Sequence, residues 1–168
     1  MGKWLGFAVM LGMYLILMGG GVMLIVNLIA GYAVRNALIG LVWMAVNYML
    51  ILSISLMGGS TLSTLANGVL VFGLTGVSFI GGWIEQIGSL IRNTTATNIG
   101  VVTSLIMPSD AIWKRAAFEM QSPLVKAFGG VTPFSVASSP SNIMMVYAIL
   151  YLLFMLGLAL WRFGQRDL

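Results

Sequence analysis

The stretch GVLVFGLTGVSFIGGWIEQIGSLIRNTTATNIGVVTSLIMPSDAIWKRAAFE, residues 68–119, decides how the rest of the chain folds. Residues 68–84 are uncharged, apolar and rich in small side chains, as a helix in hydrocarbon requires. Gly68, Thr75, Gly82 and Ser89 recur every seven residues and so form one narrow stripe on a helix, with Ser78 beside it. Between helices in lipid the hydrophobic drive is weak, so a stripe of small residues acts by letting two backbones approach closely. The pattern predicts that Gly68, Thr75, Ser78 and Gly82 pack against a neighbouring helix.

The next part, 85–107, brings in Glu85, Gln86, Arg92, Asn93 and Asn98, while Ile84, Ile87, Ile91, Val102 and Leu105 keep a largely helical spacing. Such a segment does not cross hydrocarbon alone; it lies along an interface or folds back against other helices. Pro108 stops it, and Ser109 or Asp110 can cap a new helix. On that helix Asp110 with Lys114, and Arg115 with Glu119, stand four apart and can pair. Ile112, Trp113, Ala116, Ala117 and Met120 make the opposite, apolar face. The amphipathic pattern predicts a helix lying on a membrane surface, with Trp113 at the headgroup level.

Composition sets the class. Of 168 residues 60% are hydrophobic and only 7% charged, and the mean hydropathy is +1.03. Such a chain is polytopic in a membrane rather than a soluble domain. Eight Lys and Arg against four Asp and Glu give a net charge of +4, too sparse for a nucleic-acid surface. The chain has no cysteine and no histidine, which removes thiolate chemistry and the commonest metal ligand and general base. Its carboxylates, Glu85, Asp110, Glu119 and Asp167, are scattered, so no catalytic or metal-binding set is expected. No Gly-x-x-x-x-Gly-Lys-[Ser/Thr] loop is present to cradle a nucleotide, and no cofactor is expected on this chain.

Working outward, residues 4–26 form a first span. Their apolar run is longer than the roughly 7–15 residues of a signal-peptide core, and they are expected to stay as a helix. Gly19, Gly20 and Gly21 near its centre allow a bend or a close crossing. The second span, 37–57, carries Asn47 near its middle. An amide at membrane depth needs a partner, supplied by an interhelical hydrogen bond or by a polar pathway, and Glu85 poses the same choice. Residues 58–67 make a short uncharged turn before the third span, 68–84. The connection 85–142 ends in a Gly-, Pro- and Ser-containing segment, an ordered loop or a re-entrant one, with Gly129, Gly130, Pro133 and Pro140. The last span is 143–161. The expected fold class is therefore all-α: four transmembrane helices in a single domain, with an interfacial or re-entrant amphipathic region before the last. Trp4 and Trp161 would form one aromatic belt, Trp83 and Trp113 the other.

Four stretches, GKWLGF (2–7), GSTLSTLANGV (59–69), GGWIEQIG (81–88) and SLIMPSDAIWKRA (104–116), resemble in their order the membrane subunits of type-2 ABC exporters. The resemblance implies a permease of six membrane helices with cytoplasmic ends, of which the four spans here would correspond to the last four. The family's first two helices, and the coupling helix after them, have no counterpart in these residues. It also implies a bacterial-type plasma-membrane location, with residues 108–119 on the outer face. A separate ATPase subunit would use the ATP, and a second permease subunit would complete the pathway in the lipid bilayer. The turn at 58–67 would face the ATPase. The competing expectation is a small membrane scaffold or assembly partner that transports nothing.

Overall fold

A computed structural model describes residues 2–123, 125, 136 and 139–164. The expected segment with Lys126, Gly129, Gly130 and Pro133, and the terminal Arg166 and Asp167, lie outside the described residues. Among the described residues the secondary structure is helical, without strands. Four helical stretches are long and apolar enough to cross a membrane: Trp4–Ala30, Ala37–Gly59, Thr64–Leu90 and Asn142–Arg162. The chain is a multi-pass, all-α membrane protein.

The first stretch is α1 (Gly2–Leu15), a five-residue π segment (Ile16–Gly20) and α2 (Gly21–Ala30). The π turn falls on the run of glycines, where absent side chains make a wider backbone turn easy to accommodate. Gly19 is in close contact, since a Cβ there would stand 3.0 Å from the Leu41 side chain. The helix runs four residues beyond the expected end at 26 and stops at Gly31, whose φ of 62° is the left-handed conformation that favours glycine. Helix α3 (Ala37–Gly59) and helix α7 (Asn142–Gly164) begin and end within a few residues of the hydropathy limits.

Two compact units divide the chain: Met1–Met49 with Ile112–Ser141, and Leu50–Ala111 with Asn142–Leu168. In the second unit, the turn after α3 is built from small polar residues. The Ser60 hydroxyl donates to the Met57 carbonyl at 2.6 Å, and Ser63 caps α4 (Thr64–Leu90) by accepting from the Ala66 N–H. Asn67, one turn into α4, donates to the Ser55 carbonyl at 2.9 Å and lies against Gly58, where a Cβ would collide with its amide. Helix-end groups are thus satisfied within a tight hairpin.

Helix α4 does not end at Ile84. It continues to Leu90, so Glu85 and Gln86 belong to the third long helix rather than to the connection. The reason is the partner: α5 (Thr94–Ile106) turns back along α4 and covers its last turns. The pairing is antiparallel. Gly88 meets Ala96, Glu85 meets Gly100, and Gly81 meets Thr103, so that rising numbers on one helix face falling numbers on the other. At Gly100 a Cβ would lie 2.7 Å from the Gly81 carbonyl oxygen; at Gly88 it would lie 2.9 Å from the Thr97 backbone nitrogen. The two backbones are in near contact, which is what small residues permit in lipid.

Helix α6 (Ser109–Met120) follows directly after the break at Pro108. Ile112 and Ala116, the centre of its apolar face, are fully buried by the protein, and none of residues 107–121 is exposed. Trp113, Ala117 and Met120, on the same face, are half-buried.

The contact pattern separates two kinds of glycine. Gly100→Leu should destabilise the protein by about 1–3 kcal/mol or more, because the α4 backbone leaves no room. Gly68→Ala, at a position with nothing within 4 Å, should be neutral or stabilising by about 0.4–1 kcal/mol. Thermal unfolding in detergent checks both; equal melting temperatures would contradict the packing.

Candidate functional site at the break between α5 and α6

Pro108 lacks an N–H and forces the residue before it out of the helical region. Met107 accordingly has φ −143° and ψ 102°, which ends α5, and α6 restarts at Ser109. Such a break leaves orphan carbonyls behind it and orphan N–H groups ahead of it. Here it is buried: Met107 is 1% exposed, and Pro108 is among the most completely enclosed side chains.

One hydroxyl closes both sides of the break. Ser78 Oγ on α4 donates to the Met107 carbonyl at 2.7 Å and accepts from the Asp110 N–H at 3.1 Å. Ser78 is itself 1% exposed. It does for α6 what an N-cap serine does from within a chain, but from another helix. On the other side, the Tyr147 hydroxyl of α7 donates to the Leu105 carbonyl in a short hydrogen bond, and the Tyr147 and Tyr151 rings meet at a tilt of 55° with centroids 6.0 Å apart. Gly82, one turn beyond Ser78, supplies the space: a Cβ there would run into the Asp110 carboxyl group. Asp110 is 6% exposed and sits in the first turn of α6, where the helix dipole favours negative charge.

Of the remaining expected residues, Gly68 faces open space, and the Thr75 hydroxyl bonds back to Val71 of its own helix at 2.8 Å. The contact line on α4 therefore runs through Ser78, Gly81, Gly82, Glu85 and Gly88, a turn-by-turn spacing rather than one of seven. Glu85 is half-buried with its Cβ against Gly100. Asn47 is half-buried in α3, and its Oδ1 is shut off from solvent with no hydrogen-bond partner among the described residues. Trp113 and Lys114 are half-buried on α6.

In the first unit, Arg115 pairs with Glu119 at 3.2 Å and reaches the Pro140 carbonyl at 3.5 Å, while Glu119 accepts from the Asn36 amide at 3.0 Å. Asn36 has φ 50° and precedes α3, so this network ties the start of α3 to α6. Sequence patterning found Arg115 and Glu119 but missed Asn36, Tyr147 and Gly100, whose roles depend on residues distant in the chain. The hollow between α1 and α3, lined by Gly12, Leu15, Ala45 and Tyr48 among others, is apolar.

Chemically, the site holds a buried helix break closed by hydrogen bonds from two other helices. Among the described residues no group of three His, Cys, Asp or Glu side chains could hold a metal ion. Comparison with protein-family models, with curated proteins and with solved structures finds no match.

Removing the Ser78 hydroxyl strands a buried carbonyl and a buried N–H, so Ser78→Ala should cost about 1–3 kcal/mol for each group left unpaired. Tyr147→Phe should cost about 1 kcal/mol. Gly82→Leu should be the most damaging, since it displaces the Asp110 carboxyl, whereas Ile80→Leu, at a side chain 60% exposed, should change stability by less than about 0.5 kcal/mol. Melting in detergent ranks the four; a Ser78→Ala protein as stable as Ile80→Leu would contradict the clasp.

Proposed function

We propose that the chain is a membrane-spanning permease subunit of an ATP-driven exporter of the type-2 ABC kind, forming part of the translocation pathway while a separate ATPase subunit supplies the energy. The observation that carries this reading is α5 folded back on the third of four spans, broken at Pro108 and followed by α6 before the last span, an arrangement that the sequence resemblance leads one to expect. The reading implies a second permease subunit, a plasma-membrane location and cytoplasmic termini. The α3–α4 turn then faces the ATPase side and the α4–α5 tip the outer side. On this reading the chain is no enzyme and binds no ATP of its own.

Orientation and energetics are tested separately. The chain has no cysteine, so single cysteines report cleanly. An impermeant thiol reagent on intact cells should label Thr95→Cys and spare Leu62→Cys; the reverse pattern inverts the orientation. Reconstituted alone in liposomes, the chain should bind no ATP and move no solute, and flux should appear only with an ATPase and a second permease unit. Solute accumulation driven by a proton gradient without an ATPase would overturn the reading in favour of a self-sufficient carrier.

A further inference from the structure

The tip of the α4–α5 hairpin carries an expense that its fold does not require. Helix α4 closes in a Schellman turn, in which the Asn93 N–H donates to the Gly88 carbonyl at 2.8 Å and the Arg92 N–H to the Ser89 carbonyl at 3.3 Å. The central residue of that turn must be left-handed, and it is usually glycine. Here it is Arg92, with φ 55°, a conformation disfavoured for any residue with a Cβ. A costly backbone state is kept where the side chain has a task. That side chain is exposed, and among the described residues it has no hydrogen-bond or ion-pair partner. Arg92 is also the one charged residue between Glu85 and Asp110.

Its surroundings indicate what it meets. Ile87, Leu90 and Ile91 are 52%, 61% and 65% exposed, a group of large aliphatic side chains that water would disfavour. They continue the exposed apolar line of Leu65, Phe72 and Ile80 to the end of α4. The 27 residues of α4 span about 40 Å. Against a hydrocarbon core of about 30 Å, an apolar face running that whole length is accommodated by tilt. The tip then lies at the edge of the hydrocarbon, where an arginine reaches for phosphate.

We propose that the α4–α5 tip is a lipid-binding contact in which Arg92 engages the phosphate of an anionic phospholipid headgroup while Ile87, Leu90 and Ile91 sit in the acyl region beside it. The planar guanidinium suits two-pronged binding of a phosphodiester. The contact is independent of whether the chain exports a solute.

The test compares wild type, Arg92→Gly and Arg92→Lys in detergent and in phosphatidylcholine vesicles with and without phosphatidylglycerol. In detergent Arg92→Gly should melt at or above the wild-type temperature, because glycine relieves the turn. Phosphatidylglycerol should raise the wild-type midpoint by about 2–4 °C, raise that of Arg92→Lys by less, since an ammonium makes no two-pronged contact, and leave Arg92→Gly unmoved. Inorganic phosphate in place of the lipid should have no effect. A fluorophore on Ile91→Cys should be quenched by lipids spin-labelled near the headgroup. Retention of the lipid effect by Arg92→Gly, its absence from wild type, its reproduction by inorganic phosphate, or an unquenched fluorophore would each overturn the proposal.

Discussion

Water cannot reach the helix break at Met107 and Pro108, and the fold around it turns on how that constraint is met. A chain that breaks its helix in a buried place must find partners for the freed backbone groups inside the protein. Ser78 serves the carbonyl of Met107 and the N–H of Asp110 together, and Tyr147 serves the carbonyl of Leu105. These contacts bring α4, α5, the start of α6 and α7 to one point. A polar interaction worth little between two solvated groups thereby selects one arrangement among many apolar ones, because the alternatives leave buried groups unpaired.

Close approach is the second requirement. The clasp works only if α4 can come within hydrogen-bonding distance of a non-helical backbone, and glycine provides the room at Gly81, Gly82, Gly88 and Gly100. Each side of the α4–α5 pair contributes its own glycine, so neither helix alone defines the interface. The carboxyl of Asp110 occupies the space over Gly82, which couples the first turn of α6 to the identity of one residue on α4.

Hydropathy made the four spans legible, because a membrane tolerates few alternatives for a long uncharged run. The break was legible too: proline at 108 and serine or aspartate after it are local signals, and α6 begins at Ser109. The boundaries of α4 were less accessible. Glu85 and Gln86 look like the end of a span when α4 is read alone, and they remain helical because α5 covers them. The seven-residue stripe brought Ser78 and Gly82 to light and ran past Gly81 and Gly88, since contact between two helices recurs at every turn. Tyr147 and Asn36 act on partners 42 and 83 positions away, and no periodicity encodes such distances. The apolar face of α6 was visible as a pattern, but whether protein or lipid covers it is a property of the folded whole.

The π segment at Ile16–Gly20 changes how the first span presents its two halves. A wide turn holds more residues than an α turn, so the helical count slips there, and each added residue rotates the helix beyond it by about 100°. Residues before and after the glycines do not share one wheel. Helix α1 buries Leu15, whereas α2 buries none of its residues. An amphipathic face drawn through residues 4–30 as a single cylinder would describe neither half. Adding or deleting one residue among the three glycines amounts to turning one half of the span against the other, which makes this short run the place where its register is set.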